Sequence, residues 1–136
     1  MTRVVRFIIA AALCADLASP SLATPDLPKM YAENCSRCHQ LDGRGLPGAY
    51  PGLAGDKIAI GPASAPIRLI LDGKGEMPSF RSRLTDQEMS AALSYVRNSW
   101  GNNAGAVEAA DFARARADRG IARSIPLTRA MLAEPR

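Results

Sequence analysis

Cys35-Ser36-Arg37-Cys38-His39 is the stretch on which the reading of this chain turns. Two cysteines separated by two residues and followed at once by a histidine form the C-x-x-C-H run of covalent c-type haem attachment. The spacing follows from the chemistry. Two thiols add across the two vinyl groups of one porphyrin, and two intervening residues let both sulfurs reach from one short helical turn. The next residue offers its imidazole to the iron from the same side. Cys35 and Cys38 are therefore the candidate attachment residues and His39 a candidate metal ligand, with one haem c and its iron as the cofactor.

Other chemistries use similar residues. A thioredoxin-like redox pair needs a βαβ context; no strand pattern precedes Cys35 and no long apolar strand follows it. A zinc centre needs about four ligands. The chain has three cysteines and one histidine, and His39, beside Cys38, is poorly placed to join the same tetrahedron. A plain Cys35–Cys38 disulfide is the bland option for an exported protein. These alternatives stand behind haem attachment.

Upstream of the motif, residues 1–23 read as a secretory signal. Arg3 and Arg6 form a charged start, Phe7 to Ala15 is an apolar run too short to span a bilayer, and Ser21-Leu22-Ala23 offers small residues for cleavage. An uncleaved N-terminal anchor is the competing reading. Asp16 and Pro20 end the run early and argue against it. Cys14 reads as an apolar member of the run, because Leu13 is too bulky to precede a lipidated cysteine. Lys29 to Asn34 then reads as a helix feeding the haem-binding turn, with Pro28 suited to a first helical position and Tyr31 on the same face as Cys35.

Length and charge bound the rest. At 136 residues the chain is one domain. Aromatics make up only 5%, so the core is marginal by itself, and a buried haem would stabilise the fold that binds it. The formal charge is +4; without residues 1–23, 15 basic face 12 acidic residues. Two haem propionates bring this close to neutral, which does not suit a nucleic-acid protein. Any basic patch is better suited to steering an acidic redox partner.

Over roughly residues 27–101 the chain resembles the class I c-type cytochromes. The resemblance rests on Tyr31 to Cys35, the C-S-R-C-H run, Pro51-Gly52-Leu53-Ala54-Gly55, Met77-Pro78, and the closing string Tyr95-Val96-Arg97-Asn98-Ser99-Trp100-Gly101-Asn102. That last string, with Asp42-Gly43-Arg44-Gly45-Leu46-Pro47-Gly48, is similar to the cytochrome subunits of bacterial membrane-bound alcohol and gluconate-type dehydrogenases. The resemblance implies an all-α fold, with three to four helices wrapped around one covalently bound haem, and a first helix that crosses the last. It implies that the Pro51 carbonyl holds His39 by its other ring nitrogen, and that Leu53 packs on the porphyrin. The competing reading of this segment is ordinary turn prolines and glycines.

Downstream, Gln40 to Asp56 is a glycine-rich loop. It is not a phosphate-binding loop, since no strand precedes it and no Gly-Lys-Ser/Thr closes it. Ile58 to Gly61 reads as a short apolar link, and Ser64 to Leu71 as a helix stopped by Gly73. Met77 is the candidate second axial ligand. A thioether is soft and raises the potential of the iron, and the glycines before Met77 and Pro78 after it suit a loop over the open haem face. Its rivals are Met30, Met89 and Met131; a lone methionine is more often core filling. The only histidine is His39, so a second histidine ligand from the same chain is excluded. Thr85 and Glu88 form a capping box that opens a helix running to about Ser99, with Arg97 facing water and Trp100 either packed at the haem edge or closing the core, the latter preferred. Arg44, Tyr50 and Arg68 are candidate propionate contacts.

The expected organisation is a signal over residues 1–23, a haem domain over 24–104 and an extension over 105–136. In the extension, Val107 to Arg119 reads as a helix broken by Gly120. A packed strap, a docking segment and a loose tail are the roles considered for it. The expected function is electron transfer in the periplasm by a non-catalytic mono-haem carrier with His/Met ligation. Its partners would be a dehydrogenase and a terminal oxidase or another cytochrome, with no nucleic acid and no stable membrane insertion. A dedicated cytochrome subunit of a dehydrogenase complex is the alternative, and a five-coordinate catalytic or sensory haem a third.

Overall fold

The first helix starts where the sequence supplies a cap. Asp26 accepts a hydrogen bond from the Lys29 N–H at 2.9 Å and opens α1 (Leu27–Asn34). Pro28 lies in its first turn, where no amide hydrogen is required. The computed structural model describes residues 24–124, with side chains to residue 118; the expected leader, Cys14 and Met131 lie outside that range.

The C-x-x-C-H run forms a one-turn helix, α2 (Ser36–His39), ended by Gln40 in the left-handed region at φ 61°. A second single turn, α3 (Lys57–Ile60), stands where the sequence suggested only a link. Asp56 makes it, accepting from the Ile58 and Ala59 amides at 3.0 and 2.8 Å. Helix α4 (Ser64–Asp72) ends at Gly73, φ 72°, and α5 (Asp86–Asn98) opens on the expected Thr85–Glu88 box. Helix α6 (Ala109–Ser124) continues through Gly120, where a break was expected. One interior glycine costs a helix only about 1 kcal/mol relative to alanine, and the flanking residues are good helix formers. The described residues thus hold six helices and no strand. The all-α expectation holds; the count exceeds three to four because of two single turns and α6.

Helix α5 organises the packing. Its Met89 and Leu93 join Ile67, Leu71, Phe80, Val107 and Phe112 in one apolar cluster. Its Val96 joins Tyr31 and Ala59 in a second, against which Cys35, Leu53, Tyr95 and Trp100 pack. Helix α1 packs against α5, and α6 packs on both α4 and α5. Residues 105–118 therefore form a strap on the domain, with Phe112 fully buried.

Arg97 corrects a sequence expectation. It was placed toward water but is 6% exposed. Its guanidinium donates to the carbonyls of Ala59, Gly61, Ala104 and Gly105 at 2.6–3.0 Å. A buried cation is tolerated only when its donors are satisfied, and here four main-chain oxygens meet that need. The result ties α3 and the strap to the end of α5.

Candidate functional site

Helix α2 places both thiols and the imidazole on one turn. Cys35 and Cys38 are free thiols, each half-buried. Burial pushes the Cys35 thiol up to about 11, with the neighbouring Cys38 adding to the effect. His39 Nδ1 lies 2.9 Å from the Pro51 carbonyl oxygen. A carbonyl only accepts, so Nδ1 carries the hydrogen and Nε2 keeps its lone pair. Such a bond fixes the tautomer and ring plane of a ligating histidine and raises its basicity.

The contact between His39 and Pro51 depends on a loop folded back on itself. The Gly45 N–H donates to the His39 carbonyl at 3.0 Å, and the Gly43 carbonyl accepts from Leu53 and Ala54 at 2.6 and 3.0 Å. Gly43, at φ 68°, lies under the Trp100 ring; a Cβ there would stand 2.3 Å from Cε3. A Cβ on Gly45 would meet the Pro51 carbonyl at 2.5 Å. These two glycines are required because main chain and ring approach too closely for any side chain.

Three polar side chains lock this arrangement. The Tyr31 hydroxyl donates to the Gln40 carbonyl at 2.6 Å, and Trp100 Nε1–H to the Leu41 carbonyl at 3.1 Å. Asn102 donates to the carbonyls of Leu53 and Val96 at 3.0 and 2.8 Å and accepts from the Gly55 amide at 2.7 Å. Trp100 therefore closes the core, stacked edge-on with Tyr31 and Tyr95, and also grips the loop after the motif. Sequence reasoning did not assign Asn102 or the loop-gripping bond of Trp100. Val96 apart, their partners lie 47–59 residues away, and nothing in the local sequence points to them.

Met77 sits in a tight turn. Its N–H donates to the Lys74 carbonyl and its carbonyl accepts from the Lys74 N–H, both at 3.0 Å. It opens onto an apolar cleft lined by Cys35, Ile70, Met77, Phe80, Leu84, Met89 and Ala92. Met89 reaches the same cleft from within α5, where it is fully buried; Met30 does not line it. Leu53, like Cys35, packs against the cluster of Tyr31, Ala59 and Val96. Arg44 and Arg68 are exposed and Tyr50 is half-buried, and none of the three lines the cleft. A larger, open surface depression around Arg37, Asp42 and Arg44 contains none of the candidate donors. Among the described residues, no three His, Cys, Asp or Glu side chains gather to hold a metal. The donor set fits a porphyrin joined through two thioethers: two unbonded thiols, an imidazole with one nitrogen free, and a thioether sharing an apolar cleft with a thiol.

Comparison with known proteins adds an independent line. Residues 23–96 match the family described as cytochrome c oxidase, cbb3-type, subunit III. The chain is 33% identical over 101 residues to the cytochrome c subunit of the quinone alcohol dehydrogenase of Gluconobacter oxydans (strain 621H), covering 65% of this chain and 21% of that protein. It is 35% identical over 107 residues to the gluconate 2-dehydrogenase cytochrome c subunit of Pantoea cypripedii, covering 68% and 24% respectively. It is 36% identical over 93 residues to cytochrome c-552 of Thermus thermophilus, covering 57% of this chain and 70% of the relative. The chain thus spans under a quarter of the two dehydrogenase subunits but most of the small cytochrome.

Proposed function

Since the chain belongs to the cytochrome c family, we propose that it carries electrons outside the cytoplasm through one iron held by His39 and Met77. Haem c, attached at the C-x-x-C-H run, supplies the one-electron couple when bound. The protein's own residues set the conditions. Pro51 holds the His39 ring through Nδ1 and leaves Nε2 for the metal. Met77 is presented by a turn, and its soft sulfur favours the reduced state. Ile70, Phe80, Met89 and Ala92 line the cleft and would keep water from it, while His39 and Met77 would hold the iron and leave no open position for a substrate. The observation that carries this reading is that Cys35 and Met77 open onto one apolar cleft.

In this reading residues 1–23 direct export to the periplasm and are cleaved. Residues 24–104 are the haem domain, and 105–136 an extension whose first part straps it. Electrons arrive from a dehydrogenase and leave to a terminal oxidase or another cytochrome, through small transient contacts. The test is Met77→Ala in holoprotein matured with haem. The variant should lose the methionine–iron charge-transfer band of the ferric form and bind carbon monoxide rapidly when reduced. A wild-type protein lacking that band and binding carbon monoxide equally fast would overturn Met77 and favour a five-coordinate site.

A second reading is a dedicated subunit of a dehydrogenase complex. It is favoured by the similarity to two proteins named as such subunits. Stable co-purification of the full chain with a dehydrogenase, surviving moderate salt, would select it over the free carrier.

A further inference from the structure

The segment that carries Met77 is anchored from two sides, and one anchor is α6. On the first side, the Phe80 N–H donates to the Ile70 carbonyl at 3.0 Å and the Ser79 hydroxyl to the Leu71 carbonyl at 2.5 Å. Arg81 pairs with Asp72 at 3.1 Å. These bonds tie residues 79–81 to the end of α4. On the second side stands Arg116. Its Nε donates to Asp86 at 2.6 Å, one terminal nitrogen to the Leu84 carbonyl at 3.2 Å and the other to the Arg81 carbonyl. Every nitrogen of the guanidinium is thus spent on residues 81–86. One turn earlier on α6, Phe112 is fully buried in the cluster that contains Phe80 and Met89, with Met77 packed against it. The family match ends at residue 96 and α6 begins at Ala109, so this anchor lies outside what the match covers.

We propose that α6 latches the Met77 turn and that Arg116 is the positioning residue that keeps it shut. The inference rests on the reading of Met77 as an axial ligand. Arg116 does not line the cleft; it acts through residues 81–86, whose Arg83 and Leu84 amides hold the Phe80 carbonyl and hence the exit of the turn. While the latch is closed, the thioether is held over the cleft. When α6 lifts, the turn keeps only its α4 anchor and the sulfur yields its place to outside ligands. A lysine cannot replace the three-way fork, because an ammonium is a point charge without planar, divergent donors.

The test titrates imidazole into ferric holoprotein and follows loss of the methionine–iron band. Apparent affinity for an outside ligand scales with the fraction of molecules whose binding position is open, so Arg116→Ala should bind imidazole about tenfold more tightly. Arg116→Lys should fall between that variant and wild type. Arg114→Ala should match wild type, since its ion-pair partner Asp111 lies on α6 itself. A merely structural Arg116 would lower the urea midpoint and leave imidazole affinity unchanged. If Arg116→Ala does not accumulate as holoprotein, Arg116→Lys and Asp86→Asn carry the same measurement, both with raised affinity expected. Values within about twofold of wild type in these variants overturn the latch. Met77→Ala separates the two readings. If it differs from wild type while the Arg116 variants do not, the ligand stands and the latch alone falls. If wild type already behaves like Met77→Ala, the ligand assignment has failed and the latch falls with it.

Discussion

Tyr31 shows how one side chain links the two halves of the site. Its ring packs on Tyr95 and Trp100, and its hydroxyl holds the carbonyl of the residue after His39. Burial pushes the phenol well above its ordinary value. In the unfolded holoprotein the phenol titrates near 10; in the folded state it keeps its proton to higher pH. The unfolded chain then binds fewer protons above that point, so folding stability is fully present below pH 10 and falls as pH rises beyond it. Tyr31→Phe should cost about 1 kcal/mol at neutral pH through the lost hydrogen bond, and should also remove this alkaline fall. Urea unfolding at neutral and alkaline pH should show the two stability curves converging. A constant gap between them would refute the assignment to Tyr31.

At this same scale the limits of sequence reading are plain. The motif residues declare themselves because their chemistry is local. The loop glycines were legible only as loop. That Gly43 lies beneath Trp100 and Gly45 against Pro51 depends on contacts made after the chain has closed. Arg97 was misplaced for a related reason. Arginine on a helix normally faces water, and only the four carbonyls, two from the distant Ala59 and Gly61 and two from Ala104 and Gly105 after the helix, make its burial tolerable.

Among the elements, α5 was the most legible. Thr85 and Glu88 exchange hydrogen bonds as their spacing requires: Thr85 Oγ1 accepts from the Glu88 amide at 3.2 Å, and the Glu88 carboxylate accepts from the Thr85 amide at 2.8 Å. The Thr85 amide, and next the Thr85 hydroxyl that donates to the same carboxylate oxygen at 2.9 Å, hold the Glu88 carboxyl below its ordinary 4.5. The depressed value means that the stabilisation is present above pH 4.5 and is lost as pH falls through the folded-state value. Thr85→Ala should lower stability by about 1 kcal/mol at neutral pH. It should also flatten the acid limb of a stability–pH curve measured by thermal melts. An acid limb unchanged in slope would show that the box does not govern it. Helix α6 was less legible, since its composition is merely helix-forming. The burial of Phe112 against α4 and α5 is a matter of packing, which alanine and arginine content does not encode.

For the whole molecule, the two apolar clusters meet at the cleft lined by Cys35 and Met77. A porphyrin seated there would join them, so cofactor and fold should stabilise each other. The double variant Cys35→Ala/Cys38→Ala, which cannot attach haem, should emerge colourless and melt well below the holoprotein. The loss should be several kcal/mol, since a ligand at ~1,000-fold above its dissociation constant contributes about 4 kcal/mol and a covalent one at least that. Equal melting of the two forms would mean that the clusters support each other without the haem.

The sequence alone determined how the cofactor is attached, because two thiols and an imidazole within five residues need nothing from the rest of the chain. It also determined the helical character of the fold, through caps and periodicity that act over a few residues. The tertiary structure decided which side chains clamp the glycine loop, that Arg97 is buried, and that the C-terminal helix reaches back to the Met77 segment. Those contacts join different segments of the chain, most of them tens of positions apart. They exist only once burial has excluded water and left each polar group only other protein groups as partners.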